Sequence, residues 1–144
     1  MSDHLHVVCP HCDAVNRLPA ARLDERPTCG QCRNALFTGQ PLELTASNFD
    51  RHVKRSDLPV VVDFWAPWCA PCRSMAPAFA SAASELEPGI RLAKVDTESQ
   101  QQLATRFTIR SIPTLAIFSS GREIIRQSGA IDAPALQRWI RAHL

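Results

Sequence analysis

Residues 59–72 read Pro59-Val60-Val61-Val62-Asp63-Phe64-Trp65-Ala66-Pro67-Trp68-Cys69-Ala70-Pro71-Cys72. Residues 59–65 are a continuous apolar run rich in valine, the pattern of a strand buried on both faces. A helix follows over residues 69–86. Pro71 falls in its first turn, where proline is tolerated, and Pro77 inside it, where a kink is expected. Cys69 then sits at the helix N-terminus, where free backbone N–H groups and the macrodipole favour a thiolate. Thiolate is the attacking species in disulfide exchange. Cys72, one turn further in, is placed to resolve a mixed disulfide.

Outward from this stretch, strand and helix signals alternate. Residues 42–44 predict a short strand, and Ser47 a cap for a helix with Phe49 and Val53 on one face. Residues 90–95 predict a strand. Thr97-Glu98-Ser99-Gln100 has the form of a capping box for a helix carrying Leu103 and Phe107. Residues 114–118 and 123–127 predict a hairpin joined by Ser119-Ser120-Gly121. Asp132 caps a last helix with Leu136, Ile140 and Leu144 aligned. The order βαβαβαββα predicts an α/β layer fold with helices on both faces of a mixed sheet.

Residues 1–40 carry no long periodic pattern and are expected to need a metal or a neighbour to fold. A division near residue 40 separates a small module, 1–40, from the α/β domain, 41–144. The module holds Cys9-Pro-His-Cys12 and Cys29-Gly-Gln-Cys32, 16 residues apart. This is the spacing of a four-cysteine zinc site, in which two knuckles complete a tetrahedron around one structural Zn2+. Two local disulfides or four free thiols are the alternative. His6 and His11 are spare ligands, since Cys9, Cys12, Cys29 and Cys32 already close the shell.

Charge is nearly balanced, with 16 Lys+Arg against 14 Asp+Glu over 144 residues. Within residues 1–40, Arg17, Arg22, Arg26 and Arg33 face Asp3, Asp13, Asp24 and Glu25, and Phe37 is the one aromatic residue. Nucleic acid is therefore not an expected partner, because net phosphate attraction and base-stacking surface are both lacking. No apolar stretch is long enough to span a bilayer, so no membrane partner is expected. The N-terminus has no basic segment followed by an apolar one, which makes a cytoplasmic location the expectation. In a reducing compartment, Cys-x-x-Cys pairs point to metal binding or redox catalysis rather than to structural disulfides.

The stretch from Val62 to Cys72 resembles the active-site segment of thioredoxins. The likeness continues through Pro77, Lys94-Val95-Asp96, Ile109-Arg110-Ser111-Ile112-Pro113-Thr114, Gly121 and Gly129. It covers about residues 45–144. Residues 1–40, with Val8-Cys9-Pro10-His11-Cys12 and Asn16-Arg17, resemble the added zinc module of a bacterial thioredoxin subfamily. The resemblance implies a thioredoxin fold preceded by a zinc ribbon, and reduction of oxidised protein substrates. It also implies recharging by an NADPH-dependent thioredoxin reductase, which carries the flavin and nicotinamide. A monomer is expected.

Residue roles follow from the same resemblance. Asp63, a carboxylate inside an apolar strand, exchanges a proton with Cys72; pairing with Lys94 is the structural alternative. Pro113 is carried over as a cis proline beside the dithiol, exposing the Ile112 backbone to a substrate strand. Trp68 is a substrate contact, Trp65 a packing residue, Gly129 either a point of close substrate approach or a plain turn glycine, and Arg73 a solvated charge. Ala70 departs from the glycine usual in the family. An oxidase or isomerase on the same fold requires an oxidising compartment, and a non-catalytic scaffold predicts a degraded dithiol; Cys69 and Cys72 are both present.

Overall fold

The computed structural model describes residues 3–144. Two strands, β1 (His4–Val8) and β2 (Val15–Pro19), form an antiparallel hairpin, followed by a 3-10 turn, Ala20–Arg22. The remaining elements are β3 (Leu42–Glu43), α1 (Phe49–Arg55), β4 (Val60–Trp65), α2 (Ala70–Leu86), β5 (Arg91–Asp96), α3 (Gln101–Arg106), β6 (Thr114–Ser119), β7 (Arg122–Ser128) and α4 (Ala133–Ala142). Five of these strands make one sheet in the order β3-β5-β4-β6-β7. The first three run parallel, and β6 and β7 are antiparallel additions. This is the mixed sheet expected from the sequence.

Alternation along each strand sorts side chains to two faces. Val60, Val62 and Phe64 of β4 join Leu42, Leu44, Ala93, Val95, Ala116 and Phe118 in a core completed by Phe49 and Val53 of α1 and Leu103 of α3. Val61, Leu92, Leu115 and Ile117 face the other way, against Met75 and Phe79 of α2 and Leu136 and Ile140 of α4. Asp63 and Lys94 belong to this second face by alternation.

Three local expectations need correction. Ser47 does not cap α1; Asn48 holds that position, and its side chain accepts the Thr45 N–H instead. The box at residues 97–100 does not form, because Asp96 Oδ1 takes the Glu98 and Ser99 N–H groups and Gln100 becomes the cap without a side-chain bond. Leu144 does not continue the buried face of Leu136 and Ile140, because α4 ends at Ala142 and Leu144 is exposed. Asp132 does cap α4, accepting the Ala135 N–H at 2.9 Å.

Candidate active site and zinc centre

The end of β4 delivers the dithiol to the start of α2. Cys69 is the N-cap residue, and its Sγ accepts the Cys72 N–H at 3.2 Å. A negative sulfur at this position satisfies an otherwise orphaned helix donor and meets the positive end of the dipole. Cys69 and Cys72 are joined as a disulfide, their Cα atoms 5.2 Å apart. Both are buried, 5 % and 2 % exposed. Ala66, Trp65 and Ile112 pack around them. Arg73 is exposed, and its Nη1 donates to the Pro67 carbonyl at 2.8 Å, tying α2 to the preceding loop.

The expected neighbours assemble here. The Ile112–Pro113 peptide is cis, and the Ile112 carbonyl oxygen lies 3.9 Å from Cys69 Sγ. Gly129, at φ +97°, donates its N–H to the Pro113 carbonyl at 2.9 Å, and a Cβ on it would meet nothing within 4 Å. Buried Thr114 anchors the same loop through Ser111 O at 2.6 Å. Trp68 is 66 % exposed beside Cys69, whereas Trp65 is partly buried under the Lys94 ammonium, 4.1 Å from its ring centre.

Asp63 is 1 % exposed, and its Oδ1 has no hydrogen-bond partner. Burial pushes its carboxyl up to about 7, against the opposing pull of Lys94; the Glu43 charge adds to the rise. Lys94 is its register partner on β5, yet no ion pair within 4.0 Å joins the two. The structural alternative for Asp63 is thus not realised as a contact.

The zinc-type cysteines converge as a second site. The Sγ atoms of Cys9, Cys12, Cys29 and Cys32 all lie within 4.8 Å of one another. Cys9–Cys32 and Cys12–Cys29 are each separated by 3.6 Å. A tetrahedral ion with Zn–S bonds of about 2.3 Å places its sulfurs about 3.8 Å apart, so the cluster fits zinc. Two matching turns build it. The Asp13 N–H donates to Cys9 O and the Arg33 N–H to Cys29 O, with Asp13 and Arg33 both at positive φ. The His11 and Gln31 N–H groups and the Asn16 and Asn34 amides point at sulfur. Such donors, the Cys32 backbone foremost, hold the Cys29 thiol down to about 6, while burial pushes Cys9 up to about 12. Four clustered sulfurs need a cation to ionise together, and a divalent ion supplies that charge. His6 and His11 are not ligands here; His6 binds Asp57 through its N–H and ring.

Sequence reasoning missed how the module is seated. Arg91 of β5 is 3 % exposed. Its Nη2 donates to Val8 O and Leu36 O, its Nη1 to Glu87, and its guanidinium lies 4.7 Å from the Phe37 ring centre. Buried His52 of α1 meets Asp13 at 2.8 Å. Leu58 completes the small core of Val7, Cys9, Leu18, Cys29 and Leu36. The one signal in the sequence is a lone arginine opening an apolar strand.

The family model described as thioredoxin matches residues 40–142, and that described as thioredoxin 2, N-terminal, matches residues 8–34. The chain is 44 % identical over 138 residues to thioredoxin C-3 of Corynebacterium nephridii, covering 96 % of this chain and 94 % of that one. It is 43 % identical over 102 residues to thioredoxin 1 of Nostoc sp., covering 71 % and 95 %, and 39 % identical over 102 residues to thioredoxin of Porphyra purpurea, with the same coverage. Among the described residues no helix is long and apolar enough to cross a membrane. The chain belongs to the thioredoxin family of thiol–disulfide oxidoreductases and carries an N-terminal zinc ribbon of the thioredoxin 2 kind.

Proposed function

We propose that this chain reduces protein disulfides through Cys69 and Cys72, and that a thioredoxin reductase using NADPH restores the dithiol in the cytoplasm. The observation that carries this reading is Cys69 Sγ at the α2 N-terminus, accepting the Cys72 N–H beside an exposed Trp68. The Cys69 thiolate attacks one sulfur of a substrate disulfide and forms a mixed disulfide; the other substrate sulfur leaves as thiolate and takes a proton. Cys72 gives its proton to the Asp63 carboxylate and attacks Cys69 Sγ. The second substrate thiolate leaves, and the Cys69–Cys72 disulfide remains, two electrons having passed to the substrate.

Pro113, with the Ile112 backbone and Gly129, forms the ledge against which an extended substrate segment lies, and Trp68 supplies apolar contact. Residues 1–40 form the ribbon and residues 41–144 the catalytic domain, acting as a monomer. One zinc per chain, held by Cys9, Cys12, Cys29 and Cys32, supplies structural charge compensation and no catalytic step.

Insulin reduction coupled to thioredoxin reductase and NADPH tests the activity. Cys72→Ser should accumulate mixed disulfides through Cys69, and Cys69→Ser should trap none. Equal trapping by both variants, read by mass spectrometry, would reverse the assignment.

A further inference from the structure

Three parallel neighbours place a row of charge across the sheet. Glu43 of β3 pairs in register with Lys94 of β5, and Lys94 with Asp63 of β4. Residues in register share a face. Leu42 and Leu44 point into the α1 side of the core, so Glu43 points with Lys94 and Asp63 to the α2 side. Lys94 stands between two carboxylates and bonds closely to neither; its ammonium rests on Trp65. Asp63 is left with an unpartnered oxygen in a nearly dry site.

We propose that Glu43 is a positioning residue for disulfide exchange: from the far side of β5 it shares the Lys94 charge with Asp63 and so sets the pH range in which Asp63 exchanges its proton. The proposal rests on the reading of Asp63 as the proton carrier for Cys72. Its sign follows from Coulomb's law. A negative charge at Glu43 disfavours a second one at Asp63 and draws away part of the compensation Lys94 offers, so Asp63 keeps its proton to higher pH. Asp96 lies on this face by alternation and is engaged by the Glu98 and Ser99 N–H groups, while α2 and α4 pack on it through the uncharged Met75, Phe79, Leu136 and Ile140. The register partners from β6 and β7 are Leu115 and Gln127, both uncharged.

The test is the titration of the Asp63 carboxyl by 13C NMR in the full, zinc-loaded chain, beside the pH–rate profile of insulin reduction. Two strand spacings separate Glu43 from Asp63, about 9.6 Å. Over that distance one charge moves a titration midpoint by about 0.3 pH units in a water-like medium and about 1.3 at surface-like dielectric. Glu43→Gln should lower the Asp63 midpoint within that span and move the rate profile equally; Glu43→Asp should restore most of it. β3 is an edge strand and Glu43 is exposed, so the fold tolerates either change. An unchanged NMR midpoint in Glu43→Gln would overturn the proposal and leave the role of Asp63 intact. A moved midpoint with an unmoved rate profile would overturn the tuning of the reaction, and Asp63→Asn then reports separately: a profile that survives it means that Asp63 carries no proton for Cys72.

Discussion

Arg91, at the start of β5, donates from Nη2 to the carbonyl oxygen of Val8, the residue before the first zinc-type cysteine, across 3.2 Å. The same guanidinium pairs with Glu87, and both side chains are almost fully enclosed. Burial holds the Glu87 carboxyl above its usual range and the Arg91 guanidinium below its own. Removing one partner leaves the other charge buried and uncompensated, a loss of about 3–5 kcal/mol. Arg91→Ala should therefore destabilise the zinc-loaded chain by that amount in urea unfolding, with insulin reduction preserved at 25 °C. Arg91→Met with Glu87→Gln should recover part of it. A loss under about 1 kcal/mol would mean that the module is held by its apolar core alone.

Zinc removal should act on the whole chain through this seat. Without the ion the two knuckles lose their centre, and Leu58, His52 and Arg91 lose their cover. Metal analysis under reducing conditions should give about one zinc per chain. A chelator should lower the melting temperature by about 10 °C, equivalent to roughly 3 kcal/mol in a chain of this size. Reductase activity should persist below the new transition. A melting curve indifferent to chelation would show that the ribbon contributes nothing to the catalytic domain's stability.

Asp63→Asn should stabilise the protein in a pH-dependent way. The unfolded carboxyl titrates near its ordinary value, about 3.9. The folded one titrates at about 7. Below about pH 3 both states hold the proton, and wild type and variant should unfold alike, with only a small gap open at about pH 4. As pH rises towards 7 the unfolded state sheds its proton first, so wild-type stability falls while the variant's does not. Above about pH 7 the gap should reach about 4 kcal/mol, from three pH units at 1.36 kcal/mol each. Denaturant titrations at pH 4, 6 and 8 measure it; a gap independent of pH would remove ionisation as its cause.

The order of elements and both cysteine centres were legible because each rests on local signals. The valine run before Cys69 marks a central strand, and paired Cys-x-x-Cys spacing needs no tertiary information. What stayed hidden depends on register and on distant partners. Glu43 reads as one polar residue in a short strand over residues 42–44, and only the pairing with Lys94 aligns it with Asp63. Arg91 looks like a solvated charge until Val8 and Leu36 arrive from a segment more than fifty residues earlier. The box at 97–100 failed because Asp96, one residue outside it, competes for the same donors.

Ala70, where the family usually has glycine, is the first residue of α2 and lies exposed between the two cysteines. Alanine and glycine differ by about 0.5–1 kcal/mol inside a helix, chiefly through backbone entropy. At the first helical position the residue is followed by Pro71, which already fixes the local backbone, so the difference shrinks. A backbone preference of this kind acts on the dithiol as on the disulfide form, so most of it cancels. Only the remainder moves the reduction potential, and 1.4 kcal/mol corresponds to about 30 mV for this two-electron couple. Ala70→Gly should therefore shift the potential by less than about 30 mV from a wild-type value near the roughly −270 mV of thioredoxin itself. Equilibration with glutathione buffers, with thiols read by alkylation, measures both proteins. A wild-type potential near about −120 mV, that of a strong periplasmic oxidant, would make the chain an oxidase and overturn the direction of electron flow proposed above.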